Sequence, residues 1–220
     1  MNSKFNTRRL VLTSMLLALA AALAFVCAYI PFLNLPFGGG FTVASMLPVV
    51  LISYMYGVRW GLVSATVYSL IQLAFGAFTG GGYVISLFTV GSDDFMGYRA
   101  AICICLVDYL LAYTLLGLGG AFRNRLKKAP ALVLGTIFAL TLRYLAHIVS
   151  GYVFFGAWAD WFFSQDGFYA VGERILSTFS GDALGIVYSV FYNGLYMVPE
   201  IVITAVAAAF VAAIPQIKKN

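Results

Sequence analysis

Asp108, Arg143, His147 and Glu200 each interrupt a long apolar run. An ionisable side chain at the centre of a bilayer costs about 2.5–3.5 kcal/mol on insertion scales. It persists where it meets a partner, a cavity or a ligand. These types do recognition chemistry: a carboxylate attracts a cation, an imidazole donates or accepts a hydrogen bond, and Asn193 adds an amide. Tyr109 and Tyr188 flank them with aromatic faces, which attract a cation by about 0.5–2 kcal/mol. A small, flat, partly polar molecule suits that combination.

The elements that carry these residues are membrane helices. The chain of 220 residues is 62% hydrophobic and 10% charged, with a mean hydropathy of +0.95. Repeated apolar runs of membrane-spanning length exclude a soluble domain. Hydropathy fits one six-helix transmembrane domain over residues 1–220, all-α, with helices near 10–32, 42–57, 60–78, 99–122, 131–156 and 183–215. Gly38-Gly39-Gly40, Gly80-Gly81-Gly82 and the stretch from Asp160 to Gly181 mark breaks on one side. The run from Leu10 to Pro31 is too long for a signal-peptide core and reads as an uncleaved first helix. The second segment is short for a perpendicular span.

Charge sets the direction. Lys4, Arg8, Arg9, Arg59, Arg123, Arg125, Lys127, Lys128, Lys218 and Lys219 fall on one side, with no acidic residue among them. The other side holds Asp93, Asp94, Asp160, Asp166, Glu173 and Asp182 against Arg99 and Arg174. The positive-inside bias therefore predicts that both termini are cytoplasmic. It also accounts for the net charge of +5 without nucleic acid as a partner.

At ~1.5 Å per residue, Asp108, His147 and Asn193 lie on three helices about 14 Å below the outer boundary, which predicts a pocket. Arg143, His147 and Gly151 share one helix face at i, i+4 and i+8, and Ser189, Asn193, Tyr196 and Glu200 share another. Plainer readings stand beside these. Arg143 and Glu200, deeper in the bundle, are expected to form a structural ion pair. His147 would equally serve as a helix–helix hydrogen bonder. The aromatic cluster Trp158, Trp161, Phe162, Phe163, Phe168 and Tyr169 reads as an interfacial belt or as a lid. Ala18 and Ala22, at i and i+4, permit close approach by a helix of this chain or of a separate membrane subunit.

Several segments together resemble one family. They are Ala18-x-x-x-Ala22 with Leu23-Ala24-Phe25, Pro36-Phe37-Gly38-Gly39-Gly40 with Thr42 and Ser45-Met46-Leu47-Pro48, and Gly57-Val58-Arg59-Trp60-Gly61. Asp108-Tyr109-Leu110-Leu111-Ala112, Arg143-Tyr144-Leu145-Ala146-His147 with Gly151, and Tyr192-Asn193-Gly194 with Pro199-Glu200 complete the set. In order through all six helices, they are similar to the thiamine-specific substrate-binding S-component of energy-coupling factor transporters. The resemblance implies that Asp108 faces the thiazolium cation and that Tyr83, Tyr109, His147, Tyr188 and Asn193 contact the vitamin. It implies that Gly151 leaves room for the ligand and that Ala18 and Ala22 dock the transmembrane coupling subunit, itself driven by two ATPases. The chain departs from the family in longer segments at Ser92–Tyr98 and Trp158–Asp182, and in Phe155 where some relatives have tryptophan. Stacking on the ligand is thus expected from Phe155, Phe41 or Trp158.

No Walker pattern, nucleophile elbow or histidine pair occurs, and there is a single histidine. The expected role is that of a binding subunit with no cofactor or metal, not an enzyme. Cys27, Cys103 and Cys105 lie in apolar surroundings and read as packing residues. Rival readings are an S-component for another vitamin such as riboflavin, an intramembrane enzyme using His147 and Asp108, and an ion-coupled secondary transporter.

Overall fold

The structure, a computed structural model, describes residues 7–35, 39–79 and 82–219. Lys4 of the basic set, Pro36-Phe37-Gly38, Gly80 and Gly81 lie outside the described residues.

The first helix, α1 (Thr7–Ala28), buries Thr13, Leu17, Ala20, Ala24 and Cys27. That three- and four-residue spacing is a single stripe facing the bundle. Ala18 and Ala22 are on the exposed side, beside Met15, Leu19 and Val26. Both sides are apolar because one meets protein and the other lipid.

α2 (Leu47–Tyr56) is ten residues long, and every residue from Leu47 to Met55 is buried. A helix that is apolar all round belongs at the centre of a bundle. It spans ~15 Å, about half the ~30 Å hydrocarbon core, where the sequence reading began the helix at residue 42. Pro48 in its first turn explains the late start, as do the local hydrogen bonds of the Thr42 hydroxyl with the Ser45 hydroxyl and amide.

Gly57, with φ +92°, turns the chain into α3 (Val58–Phe78). The left-handed conformation there favours glycine. α4 runs from Tyr98 to Gly120 and changes character along its length. It is α-helical over Tyr98–Ile104, a π-helix over Cys105–Leu111, α-helical again over Ala112–Thr114, and 3-10 over Leu115–Gly120. Small residues join α2, α3 and α4: the Ser53 hydroxyl donates to the Gly117 carbonyl and accepts from the Gly120 amide at 2.9 Å, and a Cβ on Gly61 of α3 would overlap both Ser53 and the Gly117 carbonyl.

α5 (Lys128–Phe155) buries one face, from Ala131 and Leu132 through Arg143 and His147 to Gly151. The last long helix, which we call α8 (Gly181–Val211), packs along it and continues through Pro199 without a break. Between them lie α6 (Ala159–Phe163) and α7 (Tyr169–Thr178). The stretch from Asp160 to Gly181 is thus a folded outer element as well as a break. Phe162 and Phe163 drive it, each 1% exposed and packed against Tyr188, Phe191 and Tyr192 of α8. The aromatic cluster divides accordingly: these two rings are core, while Trp158 and Trp161 remain exposed.

Thr7–Ala28, Val58–Phe78, Tyr98–Gly120, Lys128–Phe163 and Gly181–Val211 are each long and apolar enough to cross a membrane, and α2 is the short sixth member. The protein is a multi-pass membrane bundle. At one end the Arg9 guanidinium lies 3.9 Å from the Trp60 ring centroid, Gly57 abuts Arg123, and Lys128 Nζ donates to the Ile214 carbonyl. The start of α1, the α2–α3 turn, the α4–α5 link and the C-terminal end therefore meet there. That end carries the basic residues, so the positive-inside rule assigns it to the cytoplasm.

Candidate functional site

Asp108 projects from the π-helical turn of α4, between α5 and the outer end of the bundle. A π turn holds one more residue than an α turn and is often found at functional sites. His147 Nδ1 lies 2.8 Å from Asp108 Oδ1, and the Ser150 hydroxyl donates to Oδ2 at 2.6 Å. With Nδ1 assigned the proton that it donates to Oδ1, Nε2 is left as an acceptor. Nε2 is buried and has no partner among the described residues.

The network continues into α8. Asn193 Nδ2 donates to the His147 carbonyl at 3.2 Å and to the Ser189 carbonyl at 2.8 Å, while Tyr196 donates to Asn193 Oδ1. The Tyr196 ring stands edge-on to His147 with centroids 5.9 Å apart. Asp108, His147 and Asn193 are therefore joined across three helices. Aromatic rings lie outward of them. Tyr188 stacks on Tyr192 at 5.7 Å. Phe155 packs both against the Tyr188 cluster and against the cluster that includes Tyr83. The Tyr109 hydroxyl lies against Gly76 of α3. In the outer segment before α4, burial pushes the Tyr83 hydroxyl well above its ordinary range, and the charge of Asp108 adds to this. It stays a neutral donor.

Two expectations are corrected. Gly151 does not leave a space: a Cβ there would overlap Ser189 Oγ and come within 2.8 Å of Asn193 Nδ2. Its missing side chain admits α8. The expected ion pair between Arg143 and Glu200 is not formed within 4 Å, although both are buried. Glu200 accepts instead from the Thr42 amide and hydroxyl and from the Thr204 hydroxyl. The Arg143 guanidinium lies over the Tyr113 ring at 4.3 Å, with Nη1 3.0 Å from the Met46 sulfur. Each charge found a nearer partner than the other.

Sequence reasoning passed over Ser150 and the π turn. Ser150 was accessible, since it follows His147 by three residues and so shares its face. Nothing in the seven residues from Cys105 to Leu111 distinguishes π from α periodicity. Among the described residues no three His, Cys, Asp or Glu side chains cluster as metal ligands, and the three cysteines are free.

Neutral donors spread the charge of Asp108 but do not cancel it. A cation about 4 Å away would gain ~4 kcal/mol at an effective dielectric of about 20, against about 0.5–2 kcal/mol from an aromatic face. Of the two attractions a cation would meet here, that of the carboxylate is the larger.

A family model described as "Thiamine transporter protein (Thia_YuaJ)" matches residues 14–91 and 79–164, more than half of the chain. This chain belongs to the thiamine transporter protein family. Thiamine transporter ThiT of Bacillus subtilis (strain 168) is 29% identical over 216 residues, covering 94% of this chain and 91% of that protein. A solved structure of ThiT from Listeria monocytogenes aligns with a TM-score of 0.55 at 18% identity, covering 92% of this chain and 96% of that one. The structural likeness is one of fold, and it places this thiamine transporter family member in the same all-helical bundle.

Proposed function

We propose that this chain is the membrane-embedded thiamine-binding subunit of a vitamin importer, capturing thiamine from outside and releasing it inward when separate partners supply energy. The observation that carries the reading is Asp108. Its carboxylate lies inside the bundle, 19% exposed, and its hydrogen-bond partners are an imidazole and a hydroxyl. Thiamine is a flat aromatic cation, so it would supply the missing charge. Family membership supports the choice of vitamin.

In this reading Asp108 faces the thiazolium, and His147 Nε2 and Asn193 take hydrogen bonds from the ligand. Tyr83, Tyr109, Tyr188 and Phe155 provide ring faces. Gly151 serves by setting the α5–α8 spacing on which His147 and Asn193 depend. Ala18 and Ala22 form the surface for a transmembrane coupling subunit, with two ATPases behind it. The chain has no Walker motif of its own.

Isothermal titration calorimetry of the purified protein with thiamine tests the reading. Wild type is expected to bind one thiamine, with riboflavin failing to compete. Asp108→Asn keeps the shape and removes the charge, so it should weaken binding at least tenfold, as loss of a charge-assisted interaction does. Asp166→Asn in the outer segment should leave binding unchanged. Equal effects of the two substitutions would remove the case for a charge-reading site.

A further inference from the structure

Glu200 is the buried carboxylate that the proposed binding site does not use. It is 1% exposed, and it lies seven residues, about two turns, inward of Asn193 on α8. Its partners come chiefly from far along the chain. The Thr42 amide donates to Oε2, and the Thr42 hydroxyl lies 3.0 and 2.9 Å from the two carboxylate oxygens. The Thr204 hydroxyl adds a bond at 3.0 Å from within α8.

Thr42 belongs to the irregular approach to α2. Ala44 there has φ 57°, a left-handed conformation unusual for a residue other than glycine. Non-helical backbone at membrane depth must have its amides satisfied by protein, and charge-assisted hydrogen bonds are about twice as strong as neutral ones. A buried carboxylate is thus a strong anchor for this segment. Three residues earlier, Gly39 lies against the Tyr196 ring, where an added Cβ would be 3.1 Å from its edge. Tyr196 in turn donates to Asn193 and meets the His147 ring edge-on. Contacts therefore run without a gap from Glu200, through Thr42 and Gly39, to the inner side of the site.

We propose that Glu200 is a positioning residue for ligand retention: by latching Thr42 to α8 it holds Gly39 against Tyr196 and keeps Tyr196 seated on His147 and Asn193. This rests on the thiamine-binding reading given above. Two measurements on the full chain test it: the dissociation rate of radiolabelled thiamine, and hydrogen–deuterium exchange of peptides covering residues 39–46 without ligand. Glu200→Ala should release thiamine about tenfold faster and raise exchange at 39–46. Glu200→Gln retains one acceptor oxygen and should rescue part of both effects. Thr42→Val, which removes only the hydroxyl, should act in the same direction more weakly and add little to Glu200→Ala in the double variant. A purely structural role would lower the folded fraction without changing the release rate of protein that has bound. Unchanged exchange at 39–46 in Glu200→Ala overturns the latch. Raised exchange with an unchanged release rate overturns the positioning role while leaving the vitamin reading intact. Wild-type protein that takes up no thiamine overturns that reading and this role with it, and the exchange result still reports on the latch.

Discussion

Ser150 and His147 give Asp108 two hydrogen bonds and no net charge, which makes the carboxylate well oriented and still attractive to a cation. Gly151, one residue beyond, shows how tightly that arrangement is held. Gly151→Ala would press a methyl group into Ser189 and Asn193. Overpacking of this kind costs about 1–3 kcal/mol, so the melting temperature in detergent is expected to fall by several degrees. Thiamine binding should fall with it. A variant that kept its melting temperature and lost only affinity would show that the glycine makes space for ligand instead. That Asp108, His147 and Asn193 come together was legible in the sequence, because lipid makes polar side chains conspicuous and the three fall at one depth. Which of them pair was not legible. Arg143 and Glu200 have opposite charges on adjacent helices, yet an aromatic ring and an irregular backbone segment competed better for them.

α4 shows what periodicity alone leaves out. Its hydropathy predicts one continuous helix, and a continuous helix is present, but its winding changes three times between Tyr98 and Gly120. The π turn rotates Asp108 relative to the glycine seam that fixes the inner end of α4 against Ser53. Deleting Leu111, an exposed residue at the end of that turn, should let the segment rewind as α-helix and swing Asp108 by about 100° from His147. The expected result is near-native helix content by circular dichroism with thiamine binding lost. Retained binding would mean that the π turn is dispensable. The outer segment around α6 and α7 was harder to read in advance. Its polar residues mark a break, while Phe162 and Phe163 were indistinguishable from belt aromatics until α8 was seen to cover them.

The whole bundle has two unlike ends and one smooth flank. Six-helix organisation followed from hydropathy, and the gathering of basic residues at one end from where lysine and arginine fall. The depth of α2 did not, because a segment buried entirely by protein need not match the bilayer in length. On the flank, Ala18 and Ala22 face away from the bundle between Met15 and Val26. Ala18→Trp and Ala22→Trp should leave thiamine binding by the isolated chain unchanged and abolish uptake by vesicles that also contain the proposed coupling subunit and ATPases. Uptake that survived both would place the docking surface elsewhere. The three tryptophans are also distributed to advantage. Trp60 lies under Arg9 at the basic end, whereas Trp158, 42% exposed, lies at the opposite end beside Phe155 and Trp161. With Trp60→Phe, the remaining emission comes from the outer pair alone. The chain then carries its own optical probe of the outward face, and quenching of that light could be followed in real time without any attached dye.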